Sequence, residues 1–179
     1  MQRLIAIGLA FYSFFLILTN LPRLPARIPT HFNIAGEVDG WGSPDTVWFL
    51  LLAQVLTCGL FLLVPLLARR FPGSVNIGFQ KLSDFPPAQR ERIIPLFDDM
   101  MGYMSVLLSL LFAILLRGTI HAAFSPHPHF APWWALGFFL ACLATTVIYY
   151  LRRIFSVANE TQGPRKTYRD PNIGRGTSF

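Results

Sequence analysis

Four stretches of this chain contain no Asp, Glu, Lys or Arg: Leu4 to Pro22, Thr46 to Ala68, Met100 to Leu116 and Phe130 to Leu151. A helix needs about 20 mostly apolar residues, rising about 1.5 Å each, to cross a hydrocarbon core about 30 Å thick. The second and fourth runs meet that length outright. The first and third are completed by flanking residues suited to an interface. The pattern predicts an all-α integral membrane protein, a four-transmembrane-helix bundle with a short ordered outer loop between helices one and two. The membrane domain is expected over residues 1–158, with a basic disordered cytoplasmic tail over 159–179. The first run is expected to be a retained helix, because it exceeds a usual signal-peptide core and no small-x-small cleavage site follows it.

The segments between the runs are unlike one another. Pro22 to Asp45 holds Pro22, Pro25, Pro29, Gly36, Gly40, Gly42 and Pro44, residues that punctuate a chain rather than extend a helix. Within it, Ile28 to Trp41 is expected to form an extended hairpin turning near Gly36. On the opposite side, Ser83-Asp84-Phe85-Pro86-Pro87 reads as a helix start. A short amphipathic helix is expected over Ala88 to Phe97, inside an inner segment 84–99. Ile93, Ile94 and Phe97 would face lipid, and Arg90, Glu91 and Asp98 water. Pro95 is expected to break or kink the chain before helix three. Helices three and four carry small residues at four-residue spacing, Ser105, Ser109 and Ala113 against Gly137, Ala141 and Thr145. Small ridges let helices approach closely in lipid, so these two are expected to pack together as a hairpin.

Charge then sets orientation. Only 13% of residues are charged and 53% are hydrophobic, against about 25% charged in soluble domains. With the N-terminus inside, one face receives Arg3, Arg69, Arg70, Lys81, Arg90, Arg92, Arg152, Arg153, Arg165, Lys166, Arg169 and Arg175. The other receives Arg23, Arg27 and Arg117. Cytoplasmic loops carry the Lys/Arg excess, so both termini are placed in the cytoplasm, at a plasma membrane of bacterial inner-membrane type. The net charge of +6 reads as a topology signal, with the bilayer, and anionic lipid at the inner loop and tail, as partners. It calls for no nucleic acid. Cys58 and Cys142 fall within apolar runs and are expected to be free thiols. No ionisable residue sits at mid-depth in any run, which argues against an ion-coupled transporter.

The most specific signal is Leu24-Pro-Ala-Arg-Ile-Pro-Thr-His-Phe-Asn-Ile-Ala-Gly-Glu-Val-Asp-Gly-Trp-Gly-Ser43. Through Leu24, Pro25, Pro29, His31, Phe32, Asn33, Gly36, Asp39 and Trp41 it resembles the membrane region known as domain of unknown function 1648, also present in SdpI-type immunity proteins. The resemblance covers about 4–65, with its motif in the loop 22–45. The chain departs from that pattern at Pro44, where relatives often place Lys, and at Asn76-Ile77-Gly78, where they carry Asn-Ile-Pro. The resemblance implies an envelope role of the immunity or sensing kind, with a peptide or protein partner.

Read as chemistry, the loop brings an imidazole, an amide and carboxylates onto a scaffold fixed by Pro and Gly. His31, Asn33, Asp39 and Trp41 are the candidate ligand-binding residues, with His31, Asn33 and Asp39 expected to converge on one polar cluster. A structural role for the same groups, bonding the turn's own backbone, competes with that reading. A metal alternative rests on His31, His121, His127 and His129, which all fall on the outer side and suit zinc or copper with carboxylate help. It would make the chain a metal-binding protein or a metal-dependent membrane enzyme. No nucleophile elbow, phosphate loop or His-Glu-x-x-His helix is present, so neither catalytic residues nor cofactors are expected.

Overall fold

A computed structural model describes residues 1–131 and 133–160. Four helices account for most of that chain: α1 (Gln2–Asn20), α2 (Val47–Arg70), α3 (Pro87–Ala123) and α4 (Trp133–Asn159). Each is long and apolar enough to cross a membrane. Of the tail expected to be disordered over 159–179, Asn159 is the last residue of α4, and residues 161–179 lie outside the described residues.

Between α1 and α2 the chain makes a two-stranded antiparallel hairpin, β1 (Ile28–Phe32) and β2 (Val38–Gly42). Its turn contains Gly36 at φ +85°, a left-handed conformation that a residue lacking Cβ adopts at little cost. Ser43 then caps a short 3-10 turn at Pro44–Thr46, accepting from the Asp45 amide, and α2 follows. A second, smaller hairpin, β3 (Asn76–Ile77) with β4 (Gln80–Lys81), lies at the other end of the bundle.

Two expectations for the segment before helix three are overturned. No short separate helix precedes Pro95; α3 runs unbroken through it for 37 residues. Proline removes one backbone donor, here the bond to the Glu91 carbonyl, and packing on both sides of it retains the helix. Nor does the early part of α3 present its apolar face to lipid. Ile93 is buried with Leu82, Phe85, Ile154 and Val157 in a small core closed by the end of α4, and Ile94 and Phe97 pack against it. Asp98 is not left to water either, being paired with Arg3 of α1 and, at 2.9 Å, with Arg69 of α2. Arg92 pairs with Glu160 beyond the end of α4. That hydrogen bond holds the Glu160 carboxyl below the usual range, so its contribution exists at neutral pH and is lost as pH falls through the folded value.

The second core lies at the opposite, hairpin end, where Ile17, Ile28, Val47, Leu51, Leu116 and Ile120 meet. Ile28 of β1 enters this core and fastens the hairpin to the helices. Between the two cores runs a seam of small and polar residues, Ala6 and Ser13 on α1, Gln54 and Cys58 on α2, and Ser105, Ser109 and Ala113 on α3, all buried. Gln54 Nε2 donates to the Ser109 carbonyl at 3.2 Å, and Cys58 Sγ lies 2.9 Å from Ser109 Oγ. The Ser105–Ser109–Ala113 ridge therefore packs on α1 and α2. Helix α4 does pack beside α3, but Gly137, Ala141 and Thr145 are exposed, so the expected ridge-to-ridge contact does not form. Cys58 and Cys142 are both free thiols.

Candidate functional site

The hairpin is built by its own polar residues. Asn33 Oδ1 accepts from the amides of Ala35 and Glu37 at 2.9 and 3.0 Å, and its Nδ2 donates to Glu37 Oε2 at 3.0 Å. This is the Asx-type chemistry that lets an asparagine side chain organise a turn. His31 Nδ1 pairs with Asp39 Oδ1 across the strands. The side chains are 73% and 44% exposed, so solvent screens the pair and it adds little to stability. The expected convergence of His31, Asn33 and Asp39 thus resolves into two separate pairs, His31 with Asp39 and Asn33 with Glu37. Register explains the split: His31 stands opposite Gly40, whereas Asn33 lies at the turn, where its own amide donates to the Glu37 carbonyl.

Beneath β1 lies a groove of about 480 Å³. Residues Pro29 to Asn33 form one wall, and Phe49 and Leu50 of α2, Leu115 and Thr119 of α3, and Phe130 and Trp133 form the others. Among the four candidate residues, His31 and Asn33 line it. Asp39 orients His31 from behind, and Trp41, 48% exposed and opposite Pro29 in register, is not part of it. Phe130, expected from the sequence only as the start of the fourth apolar run, was not among the candidate site residues. It stacks edge-on against Phe32, with centroids 5.6 Å apart, and its amide donates to the Gly36 carbonyl at 2.9 Å. His129 joins the same seam through Nε2, 2.9 Å from the Ala35 carbonyl oxygen. The segment before α4 therefore closes onto a turn about ninety residues earlier. No local pattern announces such a contact; only the aromatic content near Phe130 and Trp133 hints at it.

The four histidines do not share a site. His31 faces Asp39 and His129 faces the hairpin turn, while the His127 backbone amide donates to Ser125 Oγ at 3.3 Å. Among the described residues no group of three or more His, Cys, Asp or Glu side chains is disposed to hold a metal ion.

A bundle of four span-length apolar helices, capped at one end by a hairpin and bearing an open groove beside it, is consistent with a multi-pass membrane protein. Residues 8–56 match the family model for a domain of unknown function, DUF1648. The matched stretch holds most of α1, the entire hairpin and the first part of α2. It therefore contains β1, the motif-bearing wall of the groove, while α3, Phe130 and Trp133 lie beyond it. No curated protein and no solved structure matches this chain.

Proposed function

We propose that this chain is a non-enzymatic, multi-pass protein of a bacterial plasma membrane that binds an extended envelope peptide in the groove beneath its outward-facing hairpin. The N-terminus and the end of α4 lie in the cytoplasm, where the basic segments meet anionic lipid; the Lys/Arg asymmetry supports that placement. The groove carries the reading. Its walls are mostly apolar, with Thr30, His31, Asn33, Thr46 and Thr119 as the few polar groups, the composition of a binding cleft. It also runs along β1, which among the described residues pairs with β2 alone and so has a second edge without a strand partner. An exposed edge is a template for adding a peptide strand, with main-chain hydrogen bonds giving affinity and pockets giving choice. The resemblance to SdpI-type immunity proteins supports a secreted peptide as the ligand class.

The test places a photoreactive benzophenone side chain at Phe49, which lines the groove and is well exposed, and another at Phe79, which is fully exposed on the other small hairpin. Cells carrying either variant are irradiated. A peptide adduct should form at position 49, be absent at position 79, and disappear when Thr119→Trp fills the groove. Adducts of lipid mass alone, or adducts that persist in the filled variant, would overturn the proposal.

A further inference from the structure

A second opening lies on the other side of Phe130. This cleft, about 550 Å³, is bounded by α1, the last turns of α3 and the start of α4. Its polar residues are Asn20, Arg117, His121 and His129, and no carboxylate lines it. The remaining walls are apolar or aromatic, Phe124, Phe130 and Trp134 prominent among them. Arg117 and His121, one helical turn apart, share a face of α3.

Among the described residues the Arg117 guanidinium makes a single hydrogen bond, to the Tyr12 hydroxyl at 3.3 Å, and has no carboxylate partner. Guanidinium offers five N–H donors in a planar fork, and such a fork is suited to the paired oxygens of a phosphate. Depth agrees with that chemistry. Arg117 directly follows the charge-free run Met100 to Leu116 and stands six residues before the end of α3 at Ala123, about 9 Å along the helix, the edge of an apolar span rather than its middle. Gly118 shapes the cleft wall. A Cβ there would come within 2.2 Å of the Phe130 ring, so only glycine lets that ring lie against α3.

We infer that this cleft is a binding site for one anionic phospholipid of the leaflet that faces the hairpin, its phosphate held by Arg117 and His121, its headgroup flanked by Phe124 and Trp134, and its acyl chains running inward past Ile114 and Leu16. A zwitterionic headgroup satisfies the phosphate but brings a second, positive group that finds no carboxylate among the lining residues. Phosphatidylglycerol is therefore the preferred class. The inference stands apart from the peptide groove and holds whether or not that groove is occupied.

The experiment uses the full chain purified in mild detergent and a phosphatidylglycerol carrying a photoactivatable acyl chain, with adducts mapped by peptide mass spectrometry. Adducts should fall on the walls inward of Arg117, at 9–16 of α1 and 110–117 of α3. Unlabelled phosphatidylglycerol should compete, and phosphatidylcholine or inorganic phosphate at the same concentration should not. Arg117→Gln should lower the yield about tenfold, the equivalent of one lost charge-assisted hydrogen bond. His121→Gln, a change at an exposed side chain, should lower it in the same direction without altering the melting temperature, which guards against misfolding of the arginine variant. Arg152→Gln, at the opposite end of the bundle, should leave it unchanged. Equal labelling in wild type and both cleft variants would overturn the inference. So would equal competition by phosphatidylcholine, which would mean a nonspecific lipid surface, or by inorganic phosphate, which would mean a soluble anion site.

Discussion

Ser109→Leu should destabilise the bundle by about 3 kcal/mol, near the upper end for forcing extra volume into a packed interior, while Ala141→Leu should change stability by no more than about 0.5 kcal/mol. Ser109 is buried where three helices meet. Its hydroxyl donates to the Ala6 carbonyl of α1 at 3.4 Å, its carbonyl accepts from Gln54 of α2, and Cys58 Sγ lies 2.9 Å away. A leucine there has no room, and it also removes the hydroxyl that faces the thiol. In lipid the loss is sharper, since helices associate through close packing and interhelical hydrogen bonds rather than through exclusion of water. Ala141 is exposed on α4, where a larger apolar side chain meets only surroundings suited to it. Thermal melting of the two variants in one detergent checks the contrast. Equal loss in both would mean that the α4 ridge is buried after all.

Gly36→Ala should cost about 2–3 kcal/mol, combining a strained left-handed backbone with overpacking, and its effect should be confined to the hairpin end. The φ of +85° already disfavours any side chain, and a Cβ would come within 2.7 Å of the Ala131 Cβ and 2.9 Å of the His129 ring. The substitution therefore pushes away the segment that covers the turn. Phe130 leaves Phe32, and the groove loses one wall. Limited proteolysis should show faster cutting at 124–131, with the helix core melting nearly as in wild type. A variant as protease-resistant as wild type would mean that the 129–131 segment does not depend on this contact.

Much of this architecture was legible in the residues, and the failures have physical causes. Gaps in charge located four helices, because a residue that must sit in hydrocarbon leaves its mark on composition regardless of packing. The turn at Gly36 was readable from its glycine and the flanking prolines. Pro95 misled because a proline signals one missing donor, while the helix around it is decided by tertiary contacts such as those of Ile93. The serine ridge of α3 was correctly a close-packing face, but small residues on one helix do not say which neighbour they meet, and here α1 and α2 took the place expected of α4. The His31–Asp39 pair is close enough in sequence to foresee. Glu37 as the partner of Asn33 depends on the detailed turn, and the closure of His129 and Phe130 onto that turn is a contact between distant segments that no periodicity encodes.

The outward placement of the hairpin is the step on which an envelope ligand depends, and a membrane-impermeant thiol reagent tests it directly. Ile34 is 84% exposed at the hairpin turn and Phe79 is fully exposed on the small hairpin at the other end. The native Cys58 is buried and Cys142 half-buried, so wild type provides a low background. In intact cells Ile34→Cys should be labelled at once, and Phe79→Cys only after the membrane is opened. Labelling of Phe79→Cys in intact cells, with Ile34→Cys protected, would contradict the account by placing the groove in the cytoplasm.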